Sequence, residues 1–521
     1  MNMKNLIKVL YLAPALFIAS CDNGFEEMNV NPNASTEVVP GFLFTRAQLV
    51  TVSNNFTGAA YLTIGGSMQH FATYKEVPAA GDKYFSFTYS QGSWALYGGD
   101  PVSQGAVIDI AQVIEAVSTN PADVNKLSVA RIWKAYLFHR LTDMYGDIPY
   151  FEAGKALSSQ NFTPKYDTQQ AIYADMLKEL EESINAFDAA RPTFGTADLV
   201  YGGEIAKWKK FGYSLMLRLG MRLTEVDPAS AETWVKKAIA GGVITSDTDM
   251  ATIAYVDGSI TASRNFIAAG LMATDYVSPG GDNVEGGKLA KTLVDHLKTT
   301  KDPRLNVISV VWTKASATAP YVADTATALQ KGMPNAAFNS LPADFDSYSE
   351  PNPNTILKYN APLLVFTPAE VHLLLAEAGL RGWYSATTPA AEYESAVTSG
   401  MKQWAAFGAG GVISDAKIAA YLKANPFKAT GTLAEKMEQI GTQKWVALFL
   451  EDEYEIWSNW RRTGYPRLTP TNYPGNLTGG KIPTRFVIPD SEEQYNQANF
   501  YEARTRQGGT NTLSSMVWWD K

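Results

Sequence analysis

Apolar residues in the middle of the chain recur at steps of three and four, the spacing that places them on one face of an α-helix. The stripe in LSVARIWKAYLFHRLTDMYG consists of Val129, Ile132, Trp133, Tyr136, Leu137, Leu141 and Met144. The next consists of Ile172, Tyr173, Met176, Leu177, Leu180, Ile184 and Phe187. The one after it consists of Ile205, Trp208, Phe211, Leu215, Met216, Leu219 and Leu223. Each stripe predicts an amphipathic helix with one buried face.

Residues with capping preferences mark where helices begin and end. Asn120 precedes Pro121, whose missing N–H costs nothing at the first position of a helix. Asp167 followed by Gln170 predicts a capping box at the second stripe. Gly146 is placed to end the first helix, because glycine readily adopts the left-handed conformation of a helix end.

The segment TPAEVHLLLAEAGLRGW carries the most complete start signal. Thr367 is the predicted cap, Pro368 takes the first helical position, and Glu370 is placed to reach back and complete a capping box. AEYESAVTSGMKQWAAFG follows after a short turn, so the two segments predict an antiparallel helix pair of the tetratricopeptide type. Another helical segment is predicted at 432–460.

Three other regions, 55–105, 255–360 and 464–521, are rich in Gly, Pro, Asn, Ser and aromatic residues and lack a sustained period. Loops of this kind on a helical scaffold are where ligands are commonly bound. Short strands are predicted around KYFSFTYS and NVISVVW. The expected fold is therefore mainly α, with tetratricopeptide-type helix pairs supporting a loop-rich lobe with a few short β-strands, in a single domain over residues 41–521.

The amino terminus has the pattern of a secretory signal. Lys4 and Lys8 precede an apolar run that is about half the ~20 residues needed to span a membrane. Ile18-Ala19-Ser20-Cys21 resembles the lipobox of bacterial lipoproteins, and Cys21 is the only cysteine in the chain. We expect residues 1–20 to be a lipoprotein signal peptide, Cys21 to be the lipidated residue, and 21–40 to be a surface tether. A signal peptide that contains a cysteine by chance is the alternative.

The composition and the net charge disfavour several classes of function, among them nucleic-acid binding. The 521 residues carry a net charge of −8, which disfavours nucleic acid because phosphates require clustered Lys and Arg. The four histidines are far apart, and G-x-S-x-G is missing. GGDNVEGGK at 280–288 has Gly287 where a phosphate loop requires lysine. No cofactor or metal is therefore predicted; a calcium ion is compatible with Asp247-Thr-Asp249 and Asp344-Phe-Asp346 but is not indicated.

Two features leave more than one interpretation open. The run Glu451, Asp452, Glu453 and Glu455 resembles the paired carboxylates of a glycosidase, with Glu451 and Glu455 on one helix face, but nearby Arg461 and Arg462 favour salt bridges. YFSFTYSQGSWALYGGD places four aromatic residues in a Gly- and Ser-rich stretch. Their flat apolar faces and polar tips suit a sugar ring or an apolar peptide residue. The candidate ligand-binding residues are Trp94 and Tyr97, supported by Tyr84 and Tyr89; core packing is the alternative for each.

Several segments together resemble the SusD/RagB-like nutrient-binding lipoproteins, closest to the second SusD-like group. They are TDMYGDIPY at 142–150, YDTQQAIY at 166–173, WKKFGYSLMLRLGMRL at 208–223, DPRL at 302–305, AEVHLLLAEAGLRGW at 369–383, IGTQKWVALFLEDEYEIWSNWRRTGYPRL at 440–468 and IPTRFVIP at 482–489. One departure is Gly212-Tyr213, where relatives commonly have Ala-Asn.

The resemblance implies a non-enzymatic protein, lipid-anchored at the outer membrane and facing the cell exterior. It would bind nutrients, oligosaccharides first and peptides or others as the alternative, and pass them to a SusC-like TonB-dependent transporter. Within the matched motifs, Arg461, Arg462 and Asp143 are expected to form structural ion pairs. The competing hypotheses are a secreted polysaccharide-degrading enzyme that uses Glu451, and an assembly scaffold without a small ligand.

Overall fold

The computed structural model describes residues 39–74, 81–85, 87–98, 105–260, 263–274 and 288–520. The predicted signal peptide, Cys21, the tether up to residue 38 and most of the GGDNVEGGK segment lie outside these residues, and Pro40, the last residue of the predicted tether, begins the first helix. Pro40–Lys521 forms one compact unit by its internal contacts. None of the helices within the described ranges is both long and apolar enough to cross a lipid bilayer.

Helices dominate the structure. In chain order, α1 to α18 span Pro40–Ser53, Phe87–Gly92, Ala106–Ser118, Val124–Tyr145, Ala156–Ser159, Gln169–Ala186, Ile205–Arg222, Pro228–Gly241, Phe266–Thr274, Lys291–Thr299, Leu305–Ile308, Pro368–Leu380, Pro389–Lys402, Asp415–Ala424, Leu433–Ala447, Glu453–Thr463, Asp490–Tyr495 and Gln497–Arg506. A π-helix, Phe56–Gly65, follows α1.

Most long helices pack against the next long helix in the chain. α1 packs against α3, α3 against α4, α4 against α6, α6 against α7, and α7 against α8. α12 packs against α13 and also contacts α7 and α15. The residues of the three predicted apolar stripes are buried in this stack. The exceptions are Ile205 and Phe187, which lie at helix ends and are partly exposed. The prediction of a mainly α fold with helix pairs is confirmed.

Two of the predicted helix caps, Asn120 and Thr367, are confirmed, but the capping box predicted at Thr367 is incomplete. The Asn120 side chain accepts a hydrogen bond from the Ala122 N–H at 3.0 Å, in a short 3-10 turn that runs into α4. Thr367 Oγ1 accepts from the Glu370 N–H at 3.4 Å, as predicted. The Glu370 carboxylate does not reach back to Thr367, because it is buried and engaged by the basic groups described below. The second half of that predicted capping box is wrong.

The predicted capping box at Asp167 is also wrong. Thr168 caps α6, accepting from the Ala171 N–H at 3.3 Å. Asp167 instead lies in a strand, and its carboxylate accepts from the N–H groups of Tyr150 and Phe151 at 3.0 and 2.9 Å. The two residues are one position apart and both have capping side chains, so the local sequence alone does not decide between them.

The strands are short, and every strand pair is antiparallel. β1 to β9 span Phe71–Ala72, Ile148–Pro149, Tyr166–Asp167, Ala251–Ile253, Lys288–Leu289, Ser309–Thr313, Val322–Asp324, Glu350–Pro351 and Leu363–Phe366. β1 pairs with β5, β2 with β3, β4 with β9, and β6 with both β7 and β8.

The two strand predictions have opposite outcomes. The last four residues of NVISVVW lie in β6, as predicted, whereas its first three lie in α11. The described residues of KYFSFTYS contain no strand, because Lys83 ends a 3-10 turn, Gly81–Lys83, and the segment from Phe87 onward lies in α2. Tyr84 between them has a φ of 62°, which interrupts an extended backbone.

A buried network of charged side chains joins four of the helices. Arg218 of α7 contacts the Glu370 carboxylate of α12 at 2.5 Å, and Lys444 of α15 lies 3.2 Å from the same carboxylate. Glu455 of α16 accepts from Lys444 at 2.6 Å and also pairs with Arg222. Burial alone would raise the pKa of Glu455, but the charges of Arg222, Lys444 and Arg218 lower it well below its usual value. The buried carboxylates therefore stay ionised because buried cationic groups neutralise their charge.

Of the three residues expected to form ion pairs in the matched motifs, Arg462 and Asp143 do so, whereas Arg461 is held by hydrogen bonds to uncharged groups. Arg462 pairs with Glu377 of α12 at 2.6 Å. Arg461 donates to the backbone carbonyl of Asp143 at 2.7 Å, while the Asp143 carboxylate lies 3.3 Å from Arg222. These groups are buried, so their role in the fold is to fix helices to each other.

Candidate functional site

Two of the four predicted aromatic residues lie together in one cavity. Trp94 and Tyr97 sit in the 3-10 turn Ser93–Tyr97, and their ring centroids are 4.8 Å apart. The Trp94 Nε1–H donates to Glu492 at 3.2 Å, and the Tyr97 hydroxyl donates to the Pro149 carbonyl at 2.7 Å. These hydrogen bonds fix both rings against α17 and β2.

We call the space beside these rings the aromatic cavity. Its volume is about 440 Å³, within the ~300–1,000 Å³ typical of small-molecule pockets. Its walls come from the turn after α2, from α3, from the loop between β2 and β3, and from α17. The lining residues are Trp94, Tyr97, Ile108, Pro149, Glu152, Ala153, Gly154, Ala156, Asn161, Phe162, Pro164 and Glu492.

The rings of the aromatic cavity differ in exposure. Trp94 is only 7% exposed and stacks near Tyr166 with a centroid distance of 6.1 Å, so it forms the floor of the cavity. Tyr97 is partly buried. Phe162 is 75% exposed and stands at the rim. The ring face most open to a ligand is therefore that of Phe162. This residue is not among those predicted from the sequence, because that prediction covers only the aromatic residues close to Trp94.

The polar groups of this cavity are carboxylates and an amide. Glu492 accepts from Trp94 and, at 2.7 Å, from the Tyr166 hydroxyl. One oxygen of Glu152 accepts from the Asn161 amide at 2.9 Å, which leaves the other oxygen of Glu152 for a ligand. Burial and the charge of Glu492 raise the pKa of Tyr166 and of Tyr97, so both hydroxyls stay protonated. Among the described lining residues there is no lysine or arginine.

Tyr84 and Tyr89 lie outside the aromatic cavity. Tyr84 is 1% exposed, and its hydroxyl accepts from the Thr471 N–H at 3.0 Å. Tyr89 is partly buried against the π-helix, where a Cβ at Gly58 would stand 2.8 Å from the Tyr89 ring. The four aromatic residues that are close in sequence are thus divided among three places in the fold.

A second cavity, here the loop cavity, lies where Tyr84 meets the carboxyl-terminal loops. It measures about 540 Å³ and is lined by Gln69, Lys291, Thr292, Asp295, Pro334, Asn335, Ala336, Thr469, Pro470, Thr471, Asn472, Tyr473 and Pro474. The buried carboxylate of Asp82 supports its wall by accepting from the Ala336 N–H at 2.8 Å. Burial raises the pKa of Asp82 to about 6.

The carboxylate run at 451–455 is engaged inside the protein. Glu451 precedes α16 and accepts from the Leu364 N–H at 2.9 Å, so the prediction that it shares a helix face with Glu455 is wrong. Asp452 caps α16, and Glu453 contacts His70 at 2.8 Å. Burial raises the pKa of Glu451 to about 8. The side chains point to partners within the fold rather than to each other across a cleft.

The aspartates considered for calcium also have protein partners. Asp249 pairs with Lys210 at 2.6 Å, and Asp344 pairs with Lys331 at 2.7 Å. Within the described ranges, no group of three or more His, Cys, Asp or Glu residues is arranged to hold a metal ion.

A helical scaffold with loop-lined cavities and an engaged carboxylate run defines a ligand-binding protein of the helix-pair class. A family profile described as "Starch-binding associating with outer membrane", the second SusD-like family, matches residues 32–489. The chain belongs to this SusD-like family of outer-membrane nutrient-binding proteins.

Solved structures are similar over almost the whole chain. A protein named chitin-binding protein is 32% identical, covers 93% of this chain and 100% of its own, and superposes with a TM-score of 0.79. A SusD-like protein from Bacteroidetes is 27% identical with the same coverage and a TM-score of 0.79. A SusD homologue from Bacteroides fragilis, at 22% identity and a TM-score of 0.74, shows the shared fold. No curated protein sequence matches the chain.

Proposed function

We propose that this protein is a cell-surface lipoprotein that binds an oligosaccharide and delivers it to a TonB-dependent outer-membrane transporter. The observation that carries the ligand class is the aromatic cavity, where the faces of Phe162 and Tyr97 lie beside the carboxylates of Glu152 and Glu492. A sugar ring has an apolar C–H face and hydroxyl donors, so it complements both kinds of group. The name of the 32% identical chitin-binding protein supports the same class.

The proposed site keeps Trp94 and Tyr97 and extends them with Phe162. Trp94 acts as a floor that positions the other groups, since little of its ring is exposed. Tyr84 supports the loop cavity, and Tyr89 packs on the π-helix, so neither is part of the proposed contact surface. Binding without turnover agrees with the inward partners of Glu451 and its neighbours.

Isothermal titration with chitin oligosaccharides, other neutral glycans and peptides tests the ligand class. Phe162→Ala should weaken the best glycan by about 5- to 30-fold, because an accessible aromatic contact contributes roughly 1–2 kcal/mol. Phe42→Ala is the matched control: Phe42 in α1 is also 75% exposed, and its loss should leave affinity unchanged.

Four outcomes would contradict the proposal. Equal affinity of Phe162→Ala and the unmodified protein would remove the aromatic cavity from the site. Binding of peptides alone would favour the peptide alternative. Turnover of a polysaccharide that is lost in Glu451→Gln would favour the enzyme, and transporter co-purification without any ligand signal would favour the scaffold.

The membrane anchor and the transporter need separate tests. The full chain should incorporate labelled palmitate, and the Cys21→Ser variant should not. The variant should also be released from the membrane fraction, because stable anchoring requires two or more acyl chains. A TonB-dependent transporter should co-purify from membranes gently solubilised with detergent. An unlabelled chain, or an unchanged distribution of Cys21→Ser, would refute the anchor.

A further inference from the structure

A third cavity, here the lysine cavity, lies at the carboxyl-terminal end of α10 and beneath α14. It measures about 400 Å³, and Lys298, Lys301 and Lys417 are among its lining residues. Lys298 is in the last turn of α10, Lys301 follows that helix, and Lys417 is in the first turn of α14. Three cationic side chains from two separate helices therefore converge on one concavity in a chain whose net charge is −8.

The positive charge of the lysine cavity is not balanced by the protein. Among the described residues, none of the three ammonium groups forms an ion pair with a carboxylate, whereas neighbouring Lys291 and Lys402 do. Asp302 also lines the cavity, but its carboxylate is held by the Arg304 guanidinium at 2.5–3.1 Å and is thereby neutralised. The cavity thus carries a net excess of cationic groups.

The lysines retain donors for a ligand. Lys298 donates one hydrogen bond to the Gln330 carbonyl at 2.7 Å, and an ammonium group has three N–H donors. Lys301 and Lys417 are both exposed. Charge-assisted hydrogen bonds from several ammonium groups are the usual way in which proteins hold phosphate and sulfate oxygens.

Helix structure explains part of this arrangement but not all of it. A cation at the end of α10 is favoured by the helix dipole, which suits Lys298 and Lys301. Lys417 lies in the first turn of α14, where the dipole disfavours a cation. Lys301 has a φ of 54°, a left-handed conformation that glycine adopts at lower cost. Local stability therefore does not explain Lys417, and it explains only the charge of Lys301 and not its left-handed backbone.

The rest of the wall suits the carbon skeleton of a sugar. Ala420 and Pro303 provide apolar surface over the buried ring of Tyr421, and the Asn306 and Thr327 side chains provide polar atoms at the edge. Asn306 donates to Thr327 Oγ1 at 3.0 Å, which fixes both groups. The volume is sufficient for a small ligand and not only for an inorganic ion.

We propose that the lysine cavity binds a sugar unit that carries a sulfate or phosphate ester. The ester oxygens would accept hydrogen bonds from Lys301, Lys417 and Lys298, and the sugar ring would lie against Ala420 and Pro303. This site is separate from the aromatic cavity, so the proposal does not depend on the neutral glycan proposed there. It gives the protein a second point of contact that is selective for anionic sugars.

Isothermal titration of the full chain with glucose 6-sulfate, glucose 6-phosphate and unmodified glucose tests the proposal. Both esters should bind and glucose should not, and affinity should fall as salt rises because the contacts are ionic. The double variant Lys301→Gln/Lys417→Gln should bind at least about tenfold more weakly, since it loses two charge-assisted hydrogen bonds. Lys423→Gln, an exposed lysine of the same helix α14, should leave affinity unchanged.

The outcomes separate this site from the proposed function. Absence of ester binding, equal affinity of the double variant, or equal binding of glucose would each overturn the lysine site. Binding of neutral oligosaccharides should be the same in the double variant and the unmodified protein, which tests the aromatic cavity alone. Circular dichroism melting of the double variant shows whether it is folded, and the single variants Lys301→Gln and Lys417→Gln should each show an intermediate loss.

Discussion

Replacing Glu451 by glutamine is expected to stabilise the protein, and to do so increasingly as pH rises. The Glu451 side chain is partly buried, and its carboxyl group accepts a hydrogen bond from the Leu364 N–H at 2.9 Å. Burial raises its pKa from 4.5 to about 8, the hydrogen bond from Leu364 opposes that rise, and the charge of Asp452 adds to it. A glutamine amide oxygen accepts the same hydrogen bond and carries no charge.

The sign and size follow from proton linkage. In the unfolded chain Glu451 loses its proton above its ordinary pKa, while the folded protein holds that proton up to about pH 8. Folding therefore takes up a proton in this window, and stability falls by about 1.4 kcal/mol per pH unit from this group. Since Glu451 is only partly buried, the expected loss between about pH 5 and about pH 7 is roughly 2 kcal/mol. The glutamine variant does not incur it.

Urea unfolding of both proteins at several pH values measures the effect. The difference in the free energy of unfolding between Glu451→Gln and the unmodified protein should be small near about pH 4.5, grow with pH, and level off above about pH 8. Asp82 and Asp520, whose pKa values burial raises to about 6, contribute to both proteins and cancel in the difference. Glu394→Gln, at an exposed position of α13, is the control and should show no such trend. A difference that does not change with pH would refute the reasoning.

Two further substitutions test the packing and the buried charges. Gly441→Ala should destabilise the protein by about 1–3 kcal/mol, because the added Cβ would stand 2.6 Å from the Tyr465 Cβ. At Gly400 the nearest neighbour of an added Cβ is 3.4 Å away, so Gly400→Ala should be neutral or stabilising by up to about 1 kcal/mol. Thermal melting compares the two variants. Glu370→Gln should cost about 3–5 kcal/mol in urea unfolding, since two buried cations lose their partner, and the exposed pair member Glu232→Gln should cost less than about 1 kcal/mol. Equal effects within either pair would contradict the structure.

The helical part of the fold could be predicted from sequence because its signals are local. Apolar residues at three- and four-residue steps identified α4, α6 and α7, and their stripes are buried with few exceptions. Thr367 was recognised as a cap because a cap and its donor are three residues apart. The fate of the Glu370 carboxylate was missed because its partners, Arg218 and Lys444, are distant in sequence and close only in the folded protein.

The candidate site was predicted less completely, for the same physical reason. Trp94 and Tyr97 were chosen from the composition of one loop, and the structure places them at one cavity. The groups that complete the cavity come from elsewhere: Glu492 is 398 positions from Trp94. Phe162 lies in a short polar loop with no periodic signal, so only its 75% exposure beside the other rings marks it.

Gly212 and Tyr213 of α7 determine how closely this helix approaches its neighbours. Gly212 lets α6 and α7 approach closely, since a Cβ there would stand 2.8 Å from Ile184. Tyr213 next to it fills the space above Gly241, where a Cβ would lie only 2.2 Å from the Tyr213 ring. A small residue of α7 thus packs against α6, and a large residue next to it packs against α8.

The polar side chains of the motif TDMYGDIPY form hydrogen bonds and an ion pair within the protein, and this limits their availability to a ligand. In TDMYGDIPY, the Tyr145 hydroxyl donates to the Ser90 carbonyl at 2.6 Å, and the Tyr150 hydroxyl donates to Asp175 at 2.8 Å. Asp147 pairs with Arg506 at 3.0 Å. Side chains already satisfied in this way cannot turn to a ligand without leaving buried groups unpaired, which costs about 1–3 kcal/mol each. Changes in these motifs should therefore alter stability, whereas changes among the cavity residues, which retain free faces and donors, are where ligand preference can vary.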